Sequence, residues 1–470
     1  MQRFLALSLL AVAAVLLAVG CGGVTGPPKP RLIPGGGVGD GRIDGYLYVH
    51  VTDEETRAVL SSASVRVGAA SDPSPCMVLT DSTGLAKFEP DTCPSLKAPV
   101  MLTVSATGYA PATWIGVRGT NVTLPLQPMS PPAVPSAMVS GTIAGWDSMP
   151  TPAAHHQTLA LIGYSQSNML GDRANELEQG TRTVRVLLTD VTIPGNLCVI
   201  NAAVSDCNWQ LRTRTGAQAI IGIIVDQFDN NTPDDDSDDT FTVTSYAMKR
   251  GLTYAAGDTA TGVTLEMIPD ADMKTFTASF PSLPSGMDYM GAFPALELGD
   301  EGRIGFTTPA LDMSRTTTRV PGLTGTLANA HYSLIAQAQD SMEQSNPSTL
   351  AWVHDGPVGA TAAVPTWLPP PSNISFRDGV YGFSIVPGAT IQGGEIQNSA
   401  GQRVWSISIF DGVTTSFTLP GLSPDPLPAG TLTFQASAMH IPGVDLGNFT
   451  IDDVRDRIAA ISNDVITFTH

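Results

Sequence analysis

The chain has 470 residues, enough for several domains, and a formal net charge of −19 at neutral pH. An acidic surface repels phosphate backbones, so we expect no nucleic-acid partner. Charged residues make up only 14 % of the chain, and short alternating runs rich in Thr, Val, Ser and Ile lie between glycine and proline clusters. This pattern is typical of an all-β protein, and we expect tandem β-sandwich domains on a flexible N-terminal tether.

The first twenty residues have the pattern of an export signal. Arg3 is their only charged residue, and residues 4–19 are apolar except for one serine, a stretch too short to predict a membrane-spanning helix. Residues 17–21 (LAVGC) resemble the lipobox of bacterial lipoproteins. The resemblance implies that residues 1–20 are a lipoprotein signal peptide, cut before Cys21, and that Cys21 is acylated. The alternative is an ordinary signal peptide followed by an incidental cysteine.

Lipid at Cys21 would make the membrane a partner of this protein. Several acyl chains anchor a protein stably, since each buried CH₂ contributes about 0.8 kcal/mol. Residues 21–44 are rich in Gly and Pro and are predicted to be a tether between the lipid and the first domain. In the lipoproteins that this segment resembles, Gly22 in place of Asp after the cysteine implies the outer membrane or cell surface of a bacterium.

Five cysteines are present, and Cys76, Cys93, Cys198 and Cys207 remain when Cys21 is set aside. An exported protein lies in an oxidising compartment, so this even number predicts disulfides. Three pairings are open, and closeness in sequence favours Cys76 with Cys93 and Cys198 with Cys207. Buried free thiols are the alternative. A metal site is disfavoured, because no pair has CxxC spacing and no His is nearby.

Residues 45–128 contain short strands separated by turns, among them TDSTG at 80–84 and Gly108-Tyr109. With the stretches SASVRV and NVTLPLQP, these turns resemble the carboxypeptidase regulatory-like domain. The resemblance implies a small transthyretin-like β-sandwich that has no catalytic activity of its own. In the first strand, the apolar residues of 47–51 are predicted to face inward, and His50 is predicted to lie on the surface.

Residues 137–268 are predicted to form a β-rich domain with an acidic loop. Seven aspartates and two asparagines fall within residues 226–239. Calcium takes about six to eight oxygen ligands in flexible geometry, so this loop is a candidate calcium site. A solvated acidic loop between two strands is the alternative, and no other cofactor is expected. The candidate ligands are Asp226, Asp229, Asp234, Asp236, Asp238 and Asp239.

Segments 270–364 and 373–470 show weak self-similarity at an offset of about 100 residues, the length of one sandwich domain. The motif GRIGF in the first segment echoes GQRVW in the second. The second segment, with FSIVPGAT and WSISI, resembles fibronectin type III or immunoglobulin-like domains. The resemblance implies two further β-sandwiches. One short helix is predicted after a cap at Thr450.

No GxSxG elbow, HExxH, P-loop or helix-opening GxGxxG occurs, so we expect no enzyme. His155-His156 follows Pro and Ala and predicts a loop rather than a ligand pair. The six tryptophans are scattered singly; core packing is their commoner use, and a carbohydrate platform is the alternative.

We therefore predict a non-catalytic, lipid-anchored envelope or surface protein that acts in binding, adhesion or scaffolding. Its ligand would be a protein or a polysaccharide. The alternative is a carbohydrate-binding accessory lipoprotein of an uptake or degradation system.

Overall fold

The computed structural model describes residues 28–72, 74–94, 96–167, 173–186, 189–202, 204–230, 239–306, 315–340, 347–356, 359 and 361–470. Their regular secondary structure is almost entirely β-strand, and the strands are arranged as β-sandwich domains, which confirms the predicted fold class. None of the helices within these ranges has the length and apolar character needed to cross a membrane. The predicted signal peptide and Cys21 lie outside the described residues.

The first sandwich is built from eight short strands. They are β1 (Gly37–Arg42), β2 (Leu47–Asp53), β3 (Ser64–Val67), β4 (Cys76–Leu79), β5 (Leu85–Phe88), β6 (Val100–Ser105), β7 (Ala112–Val117) and β8 (Gly119–Leu126). One sheet has the order β1-β8-β2-β5, and the facing strands have the order β7-β6-β3-β4. Alternating apolar residues from both sheets fill the space between them.

His50 is buried, so the prediction that it lies on the surface is wrong. Strand β2 lies between β8 and β5 and is buried along its whole length on both faces. The His50 side chain is 8 % exposed. Burial lowers the pKa of His50, and the nearby Asp81 charge opposes that shift only in part.

The second half of the predicted tether belongs to this sandwich. Strand β1 pairs with β8, and the residues before it are held by two buried side chains of β8. The backbone N–H of Arg31 donates to Asn121 Oδ1, and that of Ile33 donates to Thr123 Oγ1, both at 2.8 Å. The assignment of residues 21–44 to a tether is therefore wrong from residue 29 onward.

The glycines of this segment allow close strand contact rather than flexibility. A Cβ added at Gly37, where φ is +140°, would lie 2.1 Å from the carbonyl oxygen of Phe449. Only glycine permits this approach, through which β1 also pairs with a strand near the C-terminus. Glycine-rich composition alone does not distinguish such a strand from a flexible linker.

The second unit is built around an eight-stranded sheet. Its strands are β9 (Ser136–Ile143), β10 (His156–Tyr164), β11 (Thr181–Val186), β12 (Thr189–Pro194), β13 (Leu197–Ile200), β14 (Ser205–Asp206), β15 (Trp209–Arg214), β16 (Gly216–Phe228), β17 (Thr240–Tyr254) and β18 (Thr259–Met267). Eight of them have the order β14-β13-β10-β16-β17-β18-β9-β15, and β11 pairs with β12. Trp146 and Trp209 fill its core.

The remaining strands form two segments of similar design. They are β19 (Met273–Ser279), β20 (Tyr289–Glu297), β21 (Arg303–Gly305), β22 (Arg315–Pro321), β23 (His331–Gln339), β24 (Ser348–Gly356), β25 (Thr361–Ala363), β26 (Ser375–Arg377), β27 (Val380–Gly382), β28 (Ile391–Gln397), β29 (Arg403–Ile409), β30 (Ser416–Thr418), β31 (Thr431–His440), β32 (Phe449–Thr450) and β33 (Ala460–Thr469). Within them, β21-β20-β23-β24 and β29-β28-β31-β33 have the same strand order.

The predicted short helix is confirmed as α1 (Ile451–Arg457). The Thr450 side chain accepts a hydrogen bond from the Asp453 N–H at 3.0 Å and caps the first turn. Short 3-10 turns cover Trp146–Ser148, Arg173–Glu176, Asp270–Asp272, Gly299–Glu301 and Gly325–Leu327.

One continuous sheet crosses the predicted domain boundaries. Strand β24 pairs with β33, and β29 pairs in parallel with β7 of the first sandwich. The result is a twelve-stranded sheet that runs from β21 to β4. The Trp405 Nε1–H donates to Thr113 Oγ1 at 3.0 Å across the junction between β29 and β7. The last sandwich therefore packs directly against the first one.

Tyr109, from the Gly108-Tyr109 turn, ties that turn to the end of β2. Its hydroxyl donates to Asp53 Oδ2 at 2.8 Å, while Asp53 Oδ1 accepts from the N–H groups of Glu55 and Thr56. Burial raises the pKa of Asp53, but these hydrogen bonds outweigh burial and the net pKa shift is downward. Burial and the bond to Asp53 raise the pKa of Tyr109 to about 12.

Tyr109→Phe is expected to lower the free energy of unfolding by about 1.5–3 kcal/mol at pH 7, the range for a hydrogen bond to a charged group. The pKa of Asp53 is lower in the folded state, so the stability from its ionised form is present above the unfolded pKa and lost as pH falls through the folded pKa. The difference between the two proteins should therefore shrink below about pH 4. Urea titrations of both proteins at pH 7 and pH 3 measure this difference in the free energy of unfolding.

Tyr289→Phe is the matched control, because Tyr289 is 40 % exposed and its hydroxyl makes no side-chain hydrogen bond among the described residues. An equal loss of stability for Tyr109→Phe at both pH values would contradict the role given to Asp53.

Candidate functional site

The acidic segment starts at the end of β16, where two consecutive histidines face it. His156 Nδ1 is 2.8 Å from Asp226 Oδ2, and His155 Nδ1 is 3.1 Å from Asp229 Oδ1. The antiparallel pairing of β10 with β16 brings these residues together. His155 lies in a turn with φ +64°, as predicted for a loop, whereas His156 begins β10.

The two His–Asp contacts differ in their exposure to solvent. The Asp229 side chain is 5 % exposed, and its partner His155 is 44 % exposed. The His156 ring stacks on Phe228 with 4.7 Å between ring centroids. A buried carboxylate requires hydrogen-bond partners, which His155 supplies here. The pairs therefore hold the start of β10 against the end of β16.

The described carboxylates of the predicted calcium site lie on two faces of the sheet. Asp226 and Gln227 are consecutive in β16, so their side chains project to opposite faces. Asp226 contacts His156, while Gln227 Nε2 donates to Asp239. Asp239 is therefore separated from Asp226 by the sheet.

The other predicted calcium ligands, Asp234, Asp236 and Asp238, lie outside the described residues. Across the part of the chain that the structure describes, no three His, Cys, Asp or Glu side chains are grouped so that they could hold a metal ion. The calcium site stays a prediction.

Both predicted local disulfides are present. Cys76 is bonded to Cys93 and Cys198 to Cys207, with Cα–Cα distances of 5.6 Å and 4.4 Å. The first joins the edge strand β4 to the turn after β5. The second joins β13 to the residues just before β15. The alternative of free thiols is therefore wrong.

All six tryptophans are buried, with exposed fractions between 1 % and 8 %. Core packing is thus their use, and the alternative of an exposed carbohydrate platform is wrong. They belong to the cores of the separate units, as Trp146 and Trp209 do in the second one. Any saccharide contact in this protein must use other side chains.

Sequence reasoning missed a cavity of about 750 Å³ between the first sandwich and the loop before β32. We call it the arginine cavity, and its lining residues are Arg31, Asp40, Gly41, Arg42, Pro99, Arg118, Asp445, Gly447 and Asn448. These residues come from distant parts of the chain, so no motif marks them. The available signal was two arginines in the predicted tether of an otherwise acidic protein.

The sequence matches no protein-family model and no curated protein. Among solved structures it is similar to the Bacillus anthracis TIE protein, with 10 % identity, a TM-score of 0.14 and coverage of 68 % of this chain and 49 % of that one. The full-length major pilin SpaD from Corynebacterium diphtheriae gives 12 % identity, a TM-score of 0.14 and coverage of 62 % and 86 %.

BcpA, the major pilin subunit of Bacillus cereus, gives 6 % identity, a TM-score of 0.15 and coverage of 68 % of this chain and 99 % of that one. The chain spans about half the length of the TIE protein. TM-scores this low do not define a common fold, so these similarities carry no argument about function.

Proposed function

We propose that this protein is a lipid-anchored, non-catalytic binding or scaffolding protein of the bacterial envelope, with adhesion or ligand capture at the cell surface as its role. The observation that carries the proposal is the lipobox-like sequence ending at Cys21, placed just before a disulfide-bonded all-β body. Disulfides persist in oxidising compartments, which supports an exported location.

The short distance between anchor and body supports a role close to the membrane. The structure holds the chain on the first sandwich from Lys29, whose carbonyl accepts a hydrogen bond from Asn121 Nδ2. Residues 22–28 then separate the lipid from the body, and seven extended residues span at most about 25 Å. The twelve-stranded sheet joins the first and last sandwiches, so the lipid would hold a large, continuous surface near the bilayer.

Cys21→Ser is expected to abolish membrane attachment, because the serine hydroxyl is not acylated by this route. The wild-type protein should label with a fatty-acid probe and sediment with membranes, whereas the variant should do neither. Gly23→Ala, which leaves the lipobox unchanged, is the matched control. A variant that still sediments with membranes, or a wild-type chain without label, would overturn the anchor.

Protease shaving of intact cells tests the surface location. Release of peptides from residues 137–470 while periplasmic markers stay intact is the result expected for adhesion or capture outside the cell. Release only after the envelope is broken would assign the protein to the periplasm and favour scaffolding there.

The second candidate function is carbohydrate binding within an uptake or degradation system. With every tryptophan buried, the observation that favours it is the arginine cavity, whose polar lining offers donors and acceptors to a hydroxylated ligand.

A further inference from the structure

The arginine cavity is assembled where the first sandwich meets the loop before β32. Arg42 lies opposite Gly119 in the pairing of β1 with β8, so Arg42 and Arg118 flank the end of that ladder. Residues of the loop at 445–448 line the other side of the cavity. Clefts between separately folded parts of a protein are preferred positions for ligand sites, and about 300–1,000 Å³ is their usual volume.

The charge of this lining is opposite to that of the chain. Three arginines stand against two aspartates, Asp40 and Asp445, so the cavity carries one net positive charge in a protein of −19. A positively charged cleft on a negatively charged surface attracts anionic ligands and raises their local concentration. A ligand group with one negative charge would balance the charge of the lining.

One of the three arginines is already paired within the protein. Arg31 Nε lies 2.7 Å from Asp40 Oδ2, which also accepts from the buried Asn121 Nδ2 at 3.0 Å. This fixed pair forms one wall of the cavity. A Cβ added at Gly39 would lie 3.1 Å from Arg31 Nη2 and 3.2 Å from Asn448 Oδ1, so this wall adjoins the C-terminal loop.

The other two arginines retain unused donors. Arg42 makes one long hydrogen bond, from Nη2 to the Ala98 carbonyl at 3.4 Å. The Arg118 guanidinium makes no hydrogen bond or ion pair within the described residues. Its charge acts on Asp411: burial raises the pKa of Asp411, but hydrogen bonds from Thr414 and the Arg118 charge outweigh burial. Two guanidinium groups are thus available to a ligand.

Acceptors for ligand hydroxyls line the same cavity. Asp445 Oδ1 accepts the Gly447 N–H at 2.9 Å, which fixes the carboxylate and leaves its second oxygen for another donor. The Asn448 side chain, which is exposed, has no hydrogen-bond partner among the described residues and can both donate and accept. A ligand with hydroxyl groups next to an anionic group would offer hydrogen-bond partners to both the arginines and these acceptors.

We propose that the arginine cavity binds an acidic saccharide, with Arg42 and Arg118 donating to the sugar carboxylate and Asp445 and Asn448 contacting its hydroxyls. Guanidinium groups match carboxylate geometry, and the charges balance. A phosphate ester carries about −1.5 to −2 charges and would face Asp40 and Asp445, which disfavours it. This inference adds a ligand class to the proposed binding function. It rests on the proposed function only for the place in the cell where the protein binds that ligand.

Isothermal titration of the full mature chain with galacturonate, which carries one carboxylate, tests the inference, with neutral galactose and inorganic phosphate as the other probes. We expect saturable binding of galacturonate, weakened as salt rises. We expect at least a tenfold loss of affinity in Arg118→Gln and a larger loss in Arg42→Gln/Arg118→Gln. Arg377→Gln, an exposed arginine of β26, is the charge-matched control and should bind as the wild type does.

Unchanged affinity in both cavity variants, equal binding of neutral galactose, or binding of phosphate alone would each overturn the proposal. Melting curves of the variants verify folding, which is expected to survive because both arginines are exposed. Membrane attachment through Cys21 is measured separately, so failure of the anchor and failure of the saccharide site give different results.

Discussion

Trp405→Ala is expected to lower the free energy of unfolding by about 3–5 kcal/mol, the range for removing a buried aromatic side chain. Trp405 is 1 % exposed and packs among the residues of the last sandwich. Its loss also removes the hydrogen bond to Thr113 and leaves that buried hydroxyl with fewer partners. Because Thr113 belongs to β7, the damage should reach the first sandwich as well.

Denaturant titrations that follow the two ends of the chain separately measure this effect. In thermal melts of a cooperative unit of about 200 residues, each kcal/mol of lost stability corresponds to a fall of about 2–4 °C in melting temperature. We expect the first and last sandwiches to lose stability together. Trp146→Ala is the matched control, because Trp146 lies in the core of the second unit. A first sandwich whose midpoint does not move in Trp405→Ala would contradict the coupling.

Removing the Cys76–Cys93 disulfide, as Cys76→Ala/Cys93→Ala, is expected to cost about 3 kcal/mol of stability by the chain-entropy relation. The bond closes a loop with a sequence separation of 17 residues. It also restrains β4, an edge strand of the twelve-stranded sheet whose Met77 and Leu79 are 58 % and 63 % exposed. Few apolar contacts would hold this strand without the covalent bond.

Cys198→Ala/Cys207→Ala is the comparison for this prediction. Its sequence separation is 9 residues, so the chain-entropy relation gives a smaller loss of stability. That loss is expected in the second unit. Urea titrations of both variants, with and without reductant, measure the two losses. Reductant should destabilise the wild type and leave the first sandwich of Cys76→Ala/Cys93→Ala unaffected. A wild type whose stability is unchanged by full reduction would contradict the prediction.

Features that depend on neighbours in sequence could be predicted. The Thr450 cap and the helix after it follow from a few adjacent residues. The local disulfides follow from the spacing and number of cysteines. Strands such as Ser64–Val67 and Leu85–Phe88 follow from alternating side chains and flanking turns.

Features that depend on distant pairing could not be predicted. Nothing in the residues of β7 or β29 indicates that these strands lie side by side, because any strand with a suitable pattern offers the same backbone groups. The same limit explains why the surface prediction for His50 is wrong, since alternation predicts an exposed strand face only where no other element covers that face. Arg42 and Arg118 are 76 positions apart, so their convergence required the fold.

The pairing of β1 with β32 has a consequence for how the chain is made. At about 5–20 residues per second, the roughly 400 residues between these strands take about 20–80 s to synthesise. The first sandwich also waits for β29 before β7 gains its second neighbour. The N-terminal sandwich therefore cannot complete its contacts before nearly the whole chain exists.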